Sequence, residues 1–261
     1  MRKYDIAFSL GAACASSTCL RRANLQFASF PFDWITHVGP ADRARMVANG
    51  FNDWMRKEDF VYLGVNELNG MGRFANSRLG FFHVHDFTNG PIDDSYDAVE
   101  AKYVRRTGRL VSLLSRARSV LVLYVDSSKQ KPHLKASADE LLEARSVLAA
   151  AFPRARFDML HFVHDDDVPY EVRRIDASRE GLTEVTFNYR SEVTDVNFGE
   201  VVEVLRHDLG LRVRDYRTRE EKRAYVRRRR LKRYGVDSGF ALLAARVRMA
   251  FARIAAPFTR T

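Results

Sequence analysis

Residues 120–125 read Val-Leu-Val-Leu-Tyr-Val, an uninterrupted apolar run. A strand with one face in water alternates apolar and polar side chains, whereas a strand covered on both faces is apolar throughout. The run therefore predicts a buried strand of a parallel sheet. Ser137 and Glu140 follow it at the spacing of a capping box, which predicts the start of a helix.

Strand and helix patterns alternate on both sides of this run. The predicted strands cover residues 6–11, 79–87, 157–163 and 182–188, and the predicted helices cover residues 12–23, 42–57, 95–116, 137–152 and 198–209. Residues 64–77 are rich in Gly and Asn and are predicted to form a loop. Strands separated by helices of this length need crossover connections. We therefore expect an α/β fold, with a mostly parallel central sheet flanked by helices and a basic helical C-terminal extension.

The positive charge of the chain is concentrated at its C-terminal end. Residues 217–261 carry 14 Lys and Arg against 3 Asp and Glu, a net charge of +11, whereas residues 1–216 carry 29 against 30, a net charge of −1. A nucleic-acid footprint spread over the fold is not expected from a neutral body. The charge divides the chain into an α/β domain at residues 1–216 and a basic tail at residues 217–261.

The basic tail has the pattern of an amphipathic helix. An apolar stripe recurs every three or four residues, at Phe240, Leu243, Val247, Phe251, Ile254 and Phe258. A basic cluster precedes the stripe, at Arg227, Arg228, Arg229, Arg230, Lys232 and Arg233. This combination is typical of a helix that lies on an anionic membrane surface. The alternative is a terminal helix whose stripe packs back on the domain.

Cysteine content and apolar runs suggest the cellular setting. Two cysteines cannot supply the disulfide framework of a secreted scaffold, and no run reaches the roughly 18 to 20 apolar residues of a membrane-spanning helix. The apolar stretch at residues 6–13 is too short and too interrupted for a signal peptide. We expect a cytoplasmic protein that contacts the inner face of the membrane through its tail.

Cys14 is the first candidate for a functional residue. It follows a predicted strand and a glycine turn, and therefore lies at the start of a helix. The first helical turn presents unpaired backbone N–H groups and the positive end of the helix dipole, and both stabilise a thiolate. The same N–H groups can hold the oxyanion of an acyl intermediate. The alternative is that Cys14 only packs, as buried cysteines commonly do.

Two histidines alternate along the predicted strand at residues 79–87. In a regular strand His83 and His85 point to the same face, which suits a metal pair or a base with a neighbour. No third ligand at a metal-binding spacing accompanies them, so we expect no metal. With a cysteine at a helix start, one of these histidines could be the general base.

Residues 29–35 form an aromatic loop, Ser-Phe-Pro-Phe-Asp-Trp-Ile, around one acid. Such a loop could wall a pocket in which Asp33 orients the base histidine. The alternative is a loop whose aromatic residues fill the core and whose aspartate caps a turn. The expected pocket residues are Ser9, Gly11, Phe30, Phe32 and Trp34.

These stretches together resemble one family. Ser-Leu-Gly-Ala-Ala-Cys at 9–14, Leu-Arg-Arg at 20–22, the aromatic loop and His-Asp-Phe at 85–87 are similar, in order and spacing over residues 4–165, to a bacterial domain of unknown function classed as a papain-like cysteine peptidase. The resemblance implies Cys14 as nucleophile, His85 as base, and a papain-like α+β arrangement as the alternative fold. The third member would be Asp33 or Asp86. Asp86 would point away from His85 in a regular strand, so Asp33 is preferred, with Asp86 and His83 as supporting residues.

The resemblance implies a thiol hydrolase or acyltransferase that works through an acyl-enzyme on a small-molecule, saccharide or peptide substrate. A similar group of polysaccharide-biosynthesis proteins implies acyl transfer from a coenzyme A thioester, whose phosphates Arg21, Arg22 and Arg73 could meet; no other cofactor is expected. Residues 1–216 would then be the catalytic domain. The alternative outside the enzymes is a non-catalytic protein that binds a carbohydrate or a partner in the aromatic pocket.

Overall fold

The computed structural model describes residues 3–126, 135–188 and 199–233, with side chains described as far as Arg227. The chain divides into two compact units, Met1–Asp215 and Tyr216–Thr261. The helices of the first unit are α1 (Cys14–Arg22), α2 (Pro40–Ala48), α3 (Tyr96–Leu114), α4 (Ala138–Ala151) and α5 (Gly199–Glu203), the last continued by a π turn at Val204–Asp208. The strands are β1 (Lys3–Tyr4), β2 (Ile6–Gly11), β3 (Ile35–Thr36), β4 (Phe60–Val65), β5 (Gly72–Asn76), β6 (Phe82–Phe87), β7 (Ser119–Val125), β8 (Arg156–His164), β9 (Arg174–Asp176), β10 (Leu182–Phe187) and β11 (Arg212–Val213).

A five-stranded sheet, in the order β2-β7-β8-β10-β9, forms the centre of the first unit. Its first four strands run parallel, and β9 pairs antiparallel with β10 at one edge. Residues 120–125 of β7 are all buried, as their apolar run predicts. Helices α1 and α5 pack on the face that carries Leu121 and Leu123, and α2 contacts both β2 and α4. The predicted α/β class with a mostly parallel central sheet is confirmed.

A second, antiparallel sheet with the order β3-β6-β5-β4 stands beside the parallel one. Strands β4 and β5 form a hairpin, with a turn at residues 66–71. Residues 64–77, predicted to be a loop, therefore contain the end of one strand and all of another. Phe74 and Asn76 of β5 are buried, because the strand alternates and the face that carries them is covered. Strands β1 and β11 form a separate parallel pair.

The start of α4 agrees with the sequence prediction, and the end of α2 does not. Ser137 Oγ accepts a hydrogen bond from the Glu140 N–H at 3.2 Å, and the Glu140 carboxylate accepts one from the Ser137 N–H at 2.8 Å, so the predicted capping box is confirmed. Helix α2 ends at Ala48, short of the predicted residue 57. There the chain turns through Gly50 and Phe51, both with positive φ.

The second unit is described through one helix, α6 (Arg219–Arg233). Thr218 caps it: Thr218 Oγ1 accepts from the Glu221 N–H at 3.1 Å, and the Glu221 carboxylate accepts from the Thr218 N–H at 2.8 Å. The basic cluster at residues 227–233 thus lies on a helix, and the predicted apolar stripe at residues 240–258 lies outside the described residues. None of the described helices is long and apolar enough to cross a membrane.

Candidate functional site

Cys14 is the first residue of α1, at the carboxyl end of the parallel sheet. Ser16 fixes this helix start, because its Oγ donates to the Gly11 carbonyl and accepts from the Val125 N–H at 2.9 Å. Gly11 has a φ of +136°, and a Cβ there would lie 2.8 Å from Arg43 Nη1, so the turn requires glycine. In open parallel sheets, ligands bind outside the carboxyl ends of the strands.

The two thiols of α1 have different surroundings. Cys14 is partly exposed, its N-cap Ala13 offers no side-chain acceptor, and the first turn of α1 holds no acid. The N–H groups and the dipole at this helix start therefore favour a thiolate. Cys19 is fully buried, and burial raises the pKa of its thiol far above the ordinary value, so Cys19 stays protonated.

A buried arginine braces the turn before Cys14. Arg43 of α2 is fully buried; its Nε donates to the Val38 carbonyl at 2.8 Å and its Nη2 to the Ala12 carbonyl at 3.1 Å. Burial lowers the pKa of Arg43 to about 10, so it carries its charge at neutral pH. The sequence gives no sign of this role, because an arginine in an amphipathic helix is normally solvated.

Asp33 is placed differently from the prediction. Its fully buried carboxylate accepts from Arg21 Nη1 at 2.8 Å, from Gln26 Nε2 at 2.9 Å and from the Phe30 N–H at 3.0 Å. Burial raises the pKa of Asp33, while Arg21 and these hydrogen bonds lower it. The carboxylate has no contact with His85 and instead fastens the aromatic loop to α1, as the turn-capping alternative predicts.

The aromatic loop mostly fills the core. Phe30, Phe32 and Ser9 are fully buried, so the prediction that they line an open pocket is wrong. Phe32 packs edge-on against Trp54, with ring centroids 5.5 Å apart. The loop contains three aromatic residues and a proline, Phe30, Pro31, Phe32 and Trp34. Of these four, only Trp34 is partly buried, and the others are buried. Trp34 is therefore the aromatic residue of the loop that can meet a ligand.

A bulge in β6 separates the two histidines. Opposite β5, Phe74 pairs with His83 and Gly72 with Phe87, so three residues of β6 face one of β5. The extra residues break the regular alternation of the strand. His83 is fully buried, while His85 is exposed. The prediction that both share one face is therefore wrong.

The same bulge turns Asp86 toward His83. The Asp86 carboxylate lies 2.8 Å from His83 Nδ1 and accepts from Tyr103 at 2.6 Å and from Lys102 at 2.5 Å. Burial alone would raise the pKa of Asp86, but the hydrogen bond to His83 and the charge of Lys102 hold it well below its usual range. His83 and Asp86 thus form a buried pair, and neither makes a hydrogen bond to Cys14 or His85 among the described residues.

His85 lies between Trp34 and the β4–β5 hairpin. Its ring meets the Trp34 ring edge-on at 5.7 Å between centroids, and its Nδ1 lies 2.8 Å from Asn69 Nδ2. Burial lowers the pKa of His85, with Asp86 opposing, so the ring is neutral at pH 7. A neutral imidazole has one lone pair with which to take a proton.

Asn69 decides which ring nitrogen of His85 has that lone pair. Asn69 Oδ1 accepts from the Met71 N–H at 2.9 Å, and Asn69 Nδ2 donates to the Val84 carbonyl at 3.0 Å. A flipped amide would lose both bonds, so an N–H of Asn69 faces His85. Nδ1 is then the acceptor and Nε2 carries the proton. Sequence reasoning missed Asn69 because it lies in the stretch predicted to be a loop.

A chain of contacts leads from Cys14 to His85. Ser17 Oγ donates to the Cys14 carbonyl at 3.1 Å and accepts from Arg21 at 2.8 Å. The Arg21 guanidinium lies 5.5 Å from the centroid of the Trp34 ring, which in turn meets His85. His85 makes no hydrogen bond to Cys14 in the described part of the chain. The two groups are thus linked through Trp34 and stand apart in this resting arrangement.

Other ligand groups near the site are few. The described residues contain no group of three His, Cys, Asp or Glu side chains that could hold a metal ion. Of the arginines predicted to meet phosphates, Arg21 is engaged by Asp33 and Ser17, and Arg73 is half-buried on β5.

Comparison with known proteins identifies a family and a distant relative. A family model described as "Putative papain-like cysteine peptidase" matches residues 5–165, which include Cys14, the aromatic loop and His85. A curated protein named "Uncharacterized protein R408", from Acanthamoeba polyphaga mimivirus, is 22% identical over 163 residues, covering 55% of this chain and 71% of the viral protein. No solved structure matches.

Proposed function

Because the chain belongs to the papain-like cysteine peptidase family whose model matches residues 5–165, we propose that it is a thiol enzyme that forms an acyl-enzyme on Cys14 and hydrolyses it. The observation that carries the proposal is the place of Cys14. It is a partly exposed thiol in the first turn of a helix that follows a parallel strand, and that first turn contains no acidic residue. A thiol in these surroundings is activated, whereas a buried one is inert.

The proposed reaction uses three groups of the chain. Cys14 Sγ attacks the carbonyl carbon of an amide or ester, His85 takes the thiol proton, and the N–H groups at the start of α1 stabilise the oxyanion. The leaving group departs with the proton from His85. Water then attacks the thioester and passes a proton to His85, which returns it to the Cys14 thiol as the acid is released.

Proton transfer in this scheme has a geometric requirement. The lone pair of neutral His85 lies on Nδ1, which Asn69 occupies in the resting arrangement. Asn69 must release Nδ1, or the ring must turn, before His85 can accept the thiol proton. Substrate that enters between Trp34 and the hairpin would displace this contact.

The test is the rate of iodoacetamide labelling of Cys14 against pH in the full chain, with Cys19 as internal control and mass spectrometry to resolve the two sites. We expect Cys14 to label rapidly well below the free-thiol pKa of about 8.5, and His85→Ala to slow product release from an ester substrate. A Cys14 that titrates as an ordinary thiol would instead favour a non-catalytic binding protein.

The alternative to hydrolysis is acyl transfer, in which Cys14 would take an acyl group from a coenzyme A thioester and pass it to an acceptor of cell-envelope polysaccharide synthesis. The Arg21 side chain beside Trp34 is 29% exposed, so its positive charge could contact an anionic acyl donor. The distinguishing measurement is the fate of the acyl group. Acyl-Cys14 that forms from a thioester and persists in water until a sugar is added indicates transfer, and acyl-Cys14 that decays in water indicates hydrolysis.

We further propose that α6 and the tail hold the protein at an anionic membrane surface. The support is the charge of +11 on residues 217–261 and the helical form of residues 219–233. Each basic residue near such a surface contributes about 1 kcal/mol. Deletion of residues 217–261 should abolish sedimentation with phosphatidylserine vesicles, and unchanged sedimentation would contradict the proposal.

A further inference from the structure

A buried carboxylate directly follows the candidate base on β6. The side chain of Asp86 is 4% exposed, whereas His85 is exposed. Both residues belong to the bulge of β6, which lies opposite Arg73 of β5. A charge buried to this depth costs free energy unless other groups compensate it. The groups that hold Asp86 therefore determine how this bulge is fixed.

Three donors surround the Asp86 carboxylate, and two of them come from α3. The Tyr103 hydroxyl donates at 2.6 Å and Lys102 Nζ donates at 2.5 Å, while His83 Nδ1 of the same strand lies at 2.8 Å. Burial and the nearby carboxylate raise the pKa of Tyr103 well above its ordinary value, so its hydroxyl remains a donor. Helix α3 thus fastens residue 86 of the bulge.

This anchor fixes the direction of the neighbouring side chain. Adjacent side chains of an extended strand point to opposite sides, and a bulge changes where they point. Because Asp86 turns inward to α3, the backbone presents His85 outward, where its ring meets Trp34 and Asn69. Without the anchor the bulge could rotate and carry the imidazole away from Trp34.

The carboxylate also acts on the imidazole through its charge. Burial lowers the pKa of His85, and the negative charge of Asp86 opposes that effect. A buried charge is screened less by salt and water than an exposed one. The other charged residues on the elements around the ring are the exposed Glu67 of the hairpin turn, Arg73 of β5 and, beyond Trp34, Arg21 of α1 with its partner Asp33.

We propose that Asp86 is the positioning residue of His85. Anchored to α3 by Tyr103 and Lys102, it holds the imidazole against the indole of the aromatic loop and supplies the negative charge beside it. It does so without a hydrogen bond to the ring, through the backbone and through its charge. This assignment rests on the proposed function, in which His85 is the base, and it concerns the ring itself.

The first test is the pH titration of His85 in the full chain, followed by proton NMR of its ring. Asp86→Asn keeps the shape of the side chain but removes its charge, so the midpoint should move to lower pH by about 0.5 or more. Lys102→Met removes the opposing charge and should move the midpoint to higher pH. The matched control is Asp93→Asn, because Asp93 pairs with Lys57 at the surface and should leave the midpoint unchanged.

The second test is the nuclear Overhauser effect between the rings of His85 and Trp34, which meet edge-on. Asp86→Ala removes the charge and the acceptor for all three donors, so the effect should weaken at least twofold, whereas Asp93→Ala should leave it unchanged. An unmoved midpoint in Asp86→Asn would overturn the proposal, as would an unweakened effect in Asp86→Ala.

Lys102→Met keeps the proposal open to refutation even if both Asp86 variants fold poorly. It replaces a partly exposed residue of α3 with a good helix former, and a midpoint that stays or falls in this variant would also overturn the proposal. Neither readout depends on turnover. A midpoint that moves as expected while ester turnover stays unaltered would support the positioning role and contradict His85 as the base of the proposed reaction.

Discussion

At the scale of single residues, the candidate site depends on which ring nitrogen of His85 already has a hydrogen-bond partner. His85 is exposed, but its Nδ1 is occupied by Asn69, whose own amide is fixed by the Met71 N–H and the Val84 carbonyl. The side-chain amide of Asn69, next to the turn residue Gly70, thus sets the tautomer of the candidate base. Replacing that amide should change where the proton lies.

Asn69→Asp should move the proton of His85. A carboxylate accepts where the amide donates, so Nδ1 would become the donor and the pKa of His85 would rise. Nitrogen-15 NMR of the imidazole should show Nε2–H in the unaltered chain and Nδ1–H in the variant. Asn66→Asp is the control, because Asn66 lies in the same turn and contacts Val84 but not His85. An unchanged tautomer in Asn69→Asp would contradict the assignment.

At the scale of elements, Ser16 joins α1 to two strands. Its Oγ serves both the Gly11 carbonyl and the Val125 N–H, and all three residues are buried. Ser16→Ala would leave a buried donor and a buried acceptor without partners, at about 1–3 kcal/mol for each such group. We expect urea unfolding to show a loss of about 2–4 kcal/mol.

The control for Ser16→Ala is Ser146→Ala, since Ser146 Oγ donates to the Leu142 carbonyl within α4 in contact with solvent. That change should alter the free energy of unfolding by less than about 0.5 kcal/mol. Equal losses in the two variants would mean that Ser16 does not hold the start of α1.

Three neighbouring strands share one buried histidine. His161 of β8 lies 2.9 Å from Asp126, which follows β7, and 3.0 Å from Glu184 of β10. Burial alone would lower the pKa of His161, but its hydrogen bonds to the two carboxylates raise it. The hydrogen bond from His161 lowers the pKa of Glu184. These hydrogen bonds therefore favour the imidazolium form, which donates from both nitrogens.

This arrangement predicts a stability window in pH. The contribution of His161 is full below its unfolded pKa of 6.5 and is lost as pH rises through the raised folded value; that of Glu184 is full above 4.5 and is lost as pH falls through the lowered value. The free energy of unfolding, measured with urea, should therefore be highest between pH 4.5 and 6.5. His161→Phe should flatten the alkaline side of this profile by about 1–2 kcal/mol. An unaltered profile would contradict the prediction.

Elements with strong local signals could be predicted from the sequence, and elements made by tertiary packing could not. The apolar run of β7 and the capping box of α4 carry their signals within a few residues. The β4–β5 hairpin is rich in Gly and Asn, and β5 forms a strand inside the sheet only because β6 pairs with it. Cys14 and His85 could be named from their patterns, whereas Asn69 and Arg43 could not, since each acts through contacts distant in sequence.

At the scale of the whole molecule, the nucleophile and the base of the proposed reaction come from different sheets. Cys14 follows β2 of the parallel sheet, and His85 lies on β6 of the antiparallel one. Trp34 is the side chain that touches both sides, through Arg21 and through His85. The relative position of the two sheets therefore sets the distance between the Cys14 thiol and the His85 imidazole.

Trp34→Ala should uncouple the two groups. Loss of a half-buried indole and its contact with Arg21 should lower the free energy of unfolding by about 2 kcal/mol. In this background His85→Ala should no longer change the reactivity of Cys14, a coupling that a double-mutant cycle measures. The control is Ile175→Ala, because Ile175 is 49% exposed on β9 and should leave the coupling intact. Coupling that survives Trp34→Ala would show that another path joins the sheets.

The placement of Trp34 also suggests where an inhibitor could act. A small molecule that wedges between the indole and α1 would widen the gap between the thiol and the imidazole without touching either. Its effect would be noncompetitive toward substrate, and Cys14 would remain open to alkylation while turnover stopped. A substrate bound on the other side of the indole, between Trp34 and the hairpin, could instead press the indole toward α1 and bring the thiol and the imidazole together, so that catalysis would depend on how the ligand fits between the two sheets.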